Sequence, residues 1–199
     1  ITIRRFDLKS KQIQNTLLAG IVDFPDSWMN IKFKDILKGK IRHGVYKSSK
    51  FYGKGTKIIK MGTHYKNEFI HSQIMERISV TDQEIKTHGV TKDDLVFART
   101  SMQQEGAGKC DLIISDEQFV FESNLLGSTI DKTIANPVYV FYFFNSPYGK
   151  LLVNSIIQGT QSRSLKGSEL MELVLSIPSK PIQDKIVNNL LKIDNKIQN

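Results

Sequence analysis

Between Thr56 and Phe121 the sequence breaks into short apolar or alternating runs separated by polar turns: Thr56–Met61, Gln73–Val80, Leu95–Arg99, Leu112–Ile114 and Phe119–Phe121. Such runs, rich in β-branched and aromatic residues and bounded by turn formers, read as strands. Side chains alternate across a strand, so these segments bury themselves only as sheets with covered faces. The middle of the chain is therefore expected to be the β-rich half of one globule. At 199 residues and 40% hydrophobic content the chain can bury a real core. That length fits one domain plus an appended element better than two independent domains.

Helical patterns flank this middle. Phe6–Ile21 places Leu8, Ile13, Leu17, Leu18 and Ile21 at near-helical spacing, with Gly20 and Pro25 as stop signals, which predicts a short amphipathic helix. Asp23-Phe24-Pro25-Asp26-Ser27-Trp28 reads as a lead-in turn whose Trp28 packs against the adjoining domain. Asn136-Pro137 looks like a helix start, and helical spacing resumes over Tyr148–Ile157, so two helices are expected there. Lys180–Asn199 puts Ile186, Leu190, Ile193 and Ile197 at spacings of 4, 3 and 4, the seam of a coiled coil or a stripe docked on the domain itself. The expected class is mixed α+β: an N-terminal helical segment (1–22), a β-rich domain (23–178) and the start of a long C-terminal helix of coiled-coil type (179–199). The chain begins without Met and ends inside a helical pattern, so we expect both ends to continue in a longer protein.

Charge is concentrated. The chain holds 28 basic and 20 acidic residues, a net of +8. From Lys32 to Lys66 eleven basic residues face Asp35 alone, so that stretch carries +10 and the remainder −2. A local surplus larger than that of the whole chain is the footprint of a polyanion-binding face, although a solvated lysine-rich surface would look the same. Gly39, Gly44, Gly53 and Gly55 interrupt the stretch with Tyr46, Phe51 and Tyr52 between them, which is loop chemistry. This mixture suits DNA: lysines for phosphates, Arg42 able to grip guanine bidentately, and aromatics able to pack on sugar or a thymine methyl. The expected DNA-facing residues are Lys40, Arg42, Lys47, Lys50, Lys54 and Lys57, joined by Arg99, Gln103, Lys109, Gln161 and Arg163 from two other loops. The alternative is a single-stranded DNA or RNA-binding module in which Tyr46, Phe51 and Tyr52 stack on bases.

The chemistry-bearing motifs are weak. Asn136-Pro137-Val138-Tyr139 lacks the second proline of the adenine methyltransferase signature, and no Gly-rich donor-binding loop precedes it. Pro25-Asp26 and Glu84-Ile85-Lys86 supply the letters of a nuclease site but lie far apart in sequence. His43, His64, His71 and His88 have no neighbouring ligand at metal spacing. Gly106-Ala107-Gly108-Lys109 fails as a nucleotide-binding loop because Cys110 follows the lysine; Lys109 could still touch a DNA phosphate. Cys110 is the single cysteine, so no internal disulfide or Cys-based zinc site forms. It reads as a small buried residue, and its isolation fits a reducing cytoplasm. The longest apolar run, Val138–Phe144, is too short to cross a bilayer, and no membrane partner is expected. No catalytic residue, metal or cofactor is assigned to this chain.

Three segments together resemble the specificity subunits of type I restriction-modification systems. Asp93-Asp94-Leu95-Val96-Phe97-Ala98-Arg99-Thr100-Ser101 resembles that family's Gly-Asp-Ile-Leu-Phe-x-Arg-Thr-Gly strand. Gly159-Thr160-Gln161-Ser162-Arg163-Ser164-Leu165 is similar to its Gly-Ser/Thr-x-x-x-x-Leu turn. Leu175-Ser176-Ile177-Pro178-Ser179-Lys180-Pro181-Ile182-Gln183-Asp184-Lys185-Ile186 resembles the Ile-Pro-x-Pro-Pro-x-x-Glu-Gln-x-x-Ile that opens its spacer helix. Pro25-Asp26-Ser27-Trp28 matches the Pro-x-x-Trp at the start of each recognition domain. Asp93 and Ser101 stand where the family has Gly, and Pro181-Ile182-Gln183 shortens the usual spacing.

The resemblance implies a non-catalytic target-recognition domain that reads one half of a bipartite duplex DNA site. Its partners would be methyltransferase (modification) subunits, a restriction subunit, and a second recognition half or a second copy docked through the C-terminal helix. Methyl donor and ATP would be bound by those partners.

Overall fold

The computed structural model describes residues 24–66, 68–71, 75–102, 106–159 and 162–193. The expected helix over Phe6–Ile21, and Gln103, Gln161 and Ile197, lie outside them; the helix reaches Ile193, whose side chain also falls outside.

Strands β1 (Met29–Lys32), β2 (Arg42–His43) and β3 (Tyr52–Ile59) are followed by helix α1 (Met61–Lys66), β4 (Phe69–Ile70), β5 (Arg77–Ile78), helix α2 (Asp82–His88) and β6 (Gly89–Val90). Then come β7 (Asp94–Ala98), β8 (Thr100–Ser101), β9 (Cys110–Ile113), β10 (Phe119–Phe121) and β11 (Leu125–Thr129). Helices α3 (Pro137–Asn145) and α4 (Pro147–Asn154), β12 (Arg163–Ser164), helix α5 (Gly167–Glu172), β13 (Val174–Ile177) and helix α6 (Lys180–Ile193) complete the order.

Two sheets form the middle, one with strand order β2-β11-β7-β9-β4 and one with β5-β3-β10-β6. All neighbours are antiparallel except β4–β9 and β3–β10. β7 explains the layering. Its Leu95 and Phe97 point to a core shared with α3 and α4, while Val96 and Ala98 point to a second core shared with Ile59, Phe119 and Phe121 of the other sheet. Both faces of β7 are covered, so every residue in it is buried, whereas a one-sided strand would alternate. β10 repeats the pattern: Phe119 and Phe121 face inward, and Val120 faces a third cluster with Val45, Ile58 and Ile78, closed by Ile85 of α2.

The expected pair of helices is present. Asn136 caps α3, its Oδ1 accepting from Val138 N at 2.9 Å and Tyr139 N at 3.4 Å. Pro137 occupies the first turn, where the missing N–H costs nothing. Ser146 caps α4 in the same way. Phe144 of α3 sits edge-on to Phe33 at 5.0 Å and to Phe97 at 5.1 Å. Each such ring contributes roughly 1.5–3 kcal/mol by burial. Trp28 stacks on Phe24 at 5.0 Å, and Phe24 in turn meets Tyr148 of α4.

Several boundaries differ from expectation. The strand expected over Thr56–Met61 runs from Tyr52 to Ile59, and Met61 opens a helix instead. Of Gln73–Val80 only Arg77–Ile78 is strand among the described residues. The polar connector around Glu84 is the helix α2, closed by a capping box in which Thr81 and Glu84 exchange bonds. β11 has no counterpart among the expected strands. Its Gly127 is required by packing, since a Cβ there would stand 2.7 Å from the Phe121 ring.

The C-terminal helix α6 docks on its own domain through a face that overlaps the anticipated seam at Ile186. Gln183 and Val187 are buried, and Leu191 and Ile186 pack on the main core. At about 100° per residue, the centre of the Gln183–Val187–Leu191 face lies about 80° from the centre of the Ile186–Leu190 pair. Asn136 N donates to Gln183 Oε1 at 2.9 Å and Asn136 Nδ2 to Asp184 Oδ1 at 2.7 Å. The residue that resembled a methyltransferase residue is thus a double fastener between two helices, once through its backbone N–H and once through its side chain. The described part of α6 is 14 residues, so a long spacer helix is not shown.

Candidate nucleic-acid interface

The turn Glu122–Asn124, between β10 and β11, gathers three other segments at one end of the sheets. Val45 bridges to Glu122, and its N–H donates to Phe121 O at 2.7 Å. Met61 N donates to Glu122 Oε1 at 2.6 Å. On the other side, Arg99 N donates to Asn124 O at 2.8 Å, Arg99 Nη1 to Ser123 O at 3.1 Å, and Thr100 Oγ1 to Asn124 Oδ1 at 3.1 Å.

From this end β8 continues into a ladder with β12: Ser101 pairs with Arg163 and Thr100 with Ser164. Leu165 N donates to Arg99 O at 2.7 Å, which extends the pairing. The two motif segments that were separate in sequence are therefore one structural unit. Gly159 makes the turn into β12 possible, because its φ is +91° and a Cβ would lie 2.2 Å from Ser162 O. Beside the ladder opens a cleft of about 480 Å³ lined by His43, Arg99, Ser164, Lys166, Ser168 and Met171, among others. Its walls offer cations and hydroxyls, the groups that hold a phosphate.

The structure redistributes the basic stretch. Six of its cations pair with carboxylates distant in sequence: Lys32 and Lys34 with Glu172, Arg42 with Asp94, Lys47 with Glu84, Lys57 with Glu117, and Lys60 with Glu76. Arg42 Nη2 donates to Asp94 Oδ2 and Thr129 Oγ1. Lys47 Nζ donates to Glu84 Oε2 at 2.7 Å and Ser79 O at 2.9 Å. That bond, followed by the Thr81 backbone N–H, lowers the Glu84 carboxyl to about 2.

Lys109 points inward, 3.3 Å from Asp111 Oδ1, and donates to His64 O. His64 Nδ1 lies 2.6 Å from Asp111 Oδ2, both side chains fully buried between α1 and β9. Burial raises the Asp111 carboxyl against the pull of His64 and Lys109. Cys110 beside it is buried as expected, and burial pushes its thiol well up.

Arg42, Lys47, Lys57 and Lys109 thus serve as internal struts in the isolated chain. Lys40, Lys50 and Lys54 are exposed and make no salt bridge among the described residues, while Arg99 and Arg163 are half-buried at the ladder. Sequence reasoning missed Lys166 and His43 at the cleft and the buried His64–Asp111 pair. No residue spacing signals a partner tens of positions away.

Two covered sheets carrying a loop-built, cationic, hydroxyl-rich end define a mixed α/β, sheet-rich recognition module. The chain belongs to the type I restriction modification DNA specificity domain family, which matches residues 25–199. It is 20% identical over 195 residues to the type I restriction enzyme EcoKI specificity subunit of Escherichia coli (strain K12), covering 90% of this chain and 41% of that protein.

Among solved structures, the HsdS subunit from Thermoanaerobacter tengcongensis shares the fold at a TM-score of 0.62 and 15% identity, over 94% of this chain and 43% of that one. A chain from a study of complex assembly and conformational transition of the type I R-M system shares it at 0.66 and 13% identity, over 94% and 44%. The S subunit of a type I restriction-modification system from M. genitalium does so at 0.57 and 14%, over 87% and 41%. The chain therefore spans less than half the length of these relatives.

Proposed function

We propose that this chain reads one half of a bipartite duplex DNA target, without chemistry of its own, and thereby directs the methyltransferase and restriction subunits of a type I system. The observation that carries the reading is the β8–β12 ladder. It binds the Arg99 loop to the Arg163 turn beside a cationic cleft, in a chain whose family is one of DNA specificity domains. Phosphates fall to Lys40, Lys50, Lys54, Arg99, Arg163 and Lys166. Contacts of this kind set register on the duplex, and base-edge contacts add sequence choice.

Two features support the assembly. α6 begins where the family's spacer helix opens, and its Ile186–Leu190 stripe lies at the edge of the docked face, with Ile186 against the core and both side chains only partly buried. That stripe suits a second helix, from the other half of the subunit or a second copy. Among the described residues no helix is long and apolar enough to cross a membrane, and with the single cysteine buried the cytoplasm is the fitting compartment. Reconstitution with the methyltransferase partner tests the function: the complex should methylate one motif in a duplex library. Equal methylation of that motif without this chain overturns it, and competition by single strands or RNA as strong as by duplex would favour a single-strand module.

A further inference from the structure

Tyr46 leaves 90% of its surface open to solvent, beyond any other large hydrophobic among the described residues. A ring so placed contributes nothing to the core, yet the chain around it is clamped. On one side a Cβ at Gly44 would stand 2.1 Å from Glu122 O, and Val45 is buried with its N–H bound to Phe121 O. On the other, the Lys47 ammonium is held by Glu84 and Ser79 O and lies 4.7 Å from the Phe51 ring centroid. Tyr46 is one residue spanning two fixed points, so its backbone is fixed while its ring stands in solvent.

Cations stand on the neighbouring segments, with the Lys47 and Lys50 ammonium groups 4.7 and 5.2 Å from the Phe51 ring centroid. Ser79 is a hub: its N–H donates to Phe51 O, its carbonyl accepts from Lys47, and its hydroxyl meets Lys54 O at 3.5 Å. Tyr52 and Thr56 both face Ile78, so Gly53-Lys54-Gly55 loops out of the sheet with both glycines at φ near +100°. A Cβ at Gly55 would lie 2.5 Å from Ile78 O, so a side chain is excluded there, and Lys54 is displayed at the tip of the bulge. Lys50 is exposed as well.

We propose that Tyr46 determines specificity, its ring packing on a thymine methyl in the major groove while Lys50 and Lys54 hold the adjoining phosphates. The inference rests on the DNA reading above. Beside a duplex an exposed tyrosine ring gains by burying its face on an apolar group, and the thymine methyl is the one that base edges present in the major groove. The clamped backbone spares part of the ordering cost of that contact, leaving the ring's own rotation to be fixed.

The test uses the full chain with its methyltransferase partner and a randomised duplex library. Each thymine of the selected motif is then replaced in turn by uracil, which lacks the methyl. One replacement should weaken wild-type binding about fourfold, the worth of one buried methyl-sized group. Tyr46→Ala should lose both the preference and the uracil sensitivity at that position and melt with the wild type, and Tyr46→Phe should keep both. A Tyr46→Ala protein that selects the same motif with the same uracil sensitivity overturns the inference, as does a wild-type motif with no uracil-sensitive position. A wild type that selects no motif at all overturns the DNA reading instead.

Discussion

Arg42 and Asp94 join β2 to β7 across the intervening strand β11, with Nη2 3.1 Å from Oδ2. The same nitrogen donates to Thr129 Oγ1 at 2.9 Å, and Thr91 N donates to the carboxylate at 3.0 Å. Asp94 is 5% exposed and Arg42 25%. Removing the guanidinium strands a buried carboxylate, so Arg42→Ala should cost about 1–3 kcal/mol, reduced from the fully buried case by solvent screening. Thermal denaturation should show a loss of several degrees with the methylated motif unchanged. An unshifted melting temperature together with relaxation at one guanine would make Arg42 a base reader.

Asp93 is the non-glycine residue with positive φ, +70°, among the described residues. This is the position where the related motif carries Gly, and a short polar side chain tolerates the left-handed region better than others do. Asp93→Val should destabilise by about 1–2 kcal/mol and Asp93→Gly should be close to neutral. Comparable losses in both would place the effect in the Lys132–Asp93 contact at 2.6 Å.

The Glu84 carboxyl, lowered from 4.5 to about 2 by Lys47 and the Thr81 N–H, links folding to acid. Below 4.5 the unfolded chain takes up this proton before the folded one does. The stability it contributes is therefore full at neutral pH and is lost as pH falls towards 2. The melting-temperature gap between wild type and Glu84→Gln should shrink across that window. A gap that is constant from pH 7 to pH 2 would remove the ion pair from the account.

Exposed and strutted lysines should separate by salt. Lys50→Ala with Lys54→Ala should lower the slope of log affinity against log salt by about two units without changing the melting temperature. Lys47→Ala should act the other way, destabilising the fold and leaving the slope nearly intact. Identical slopes in wild type and the double variant would take Lys50 and Lys54 off the DNA.

For α6, Leu190→Asp should abolish self-association or pairing with a second helix at little cost in stability, because Leu190 flanks the docked face. Ile186→Asp should also lower the melting temperature, since Ile186 packs on the core. Burying either contributes roughly 1.5–3 kcal/mol. Sedimentation showing wild type and both variants equally monomeric would leave the stripe without a partner.

Local signals are legible where one segment decides the outcome. Phe119–Phe121 is a strand over its expected length, and Asn136-Pro137 starts a helix where cap chemistry requires one. The Thr81-x-x-Glu84 capping box is equally local, yet it hides in a stretch whose polarity suggests a connector. β11 is different: Leu-Leu-Gly-Ser-Thr has little strand character, and its glycine answers to the Phe121 ring on another strand. Charge is the least legible property. The surplus of the Lys32–Lys66 stretch counts cations, but which of them reach solvent depends on Asp94, Glu84 and Glu117, brought in by sheet pairing. Likewise Thr100 and Arg163 belong to separate motifs, and the ladder that unites their loops involves strands of only two residues each.

The turn Glu122–Asn124 makes these loops inseparable as parts for engineering. It is bonded at once to Val45, Met61, Arg99 and Thr100. A graft that transplants the Tyr46 loop or the Arg99 loop alone would leave main-chain donors facing a host turn of different shape. The portable cassette is the turn together with every segment it holds, and chimeras cut through it should fail at folding before they can report on recognition.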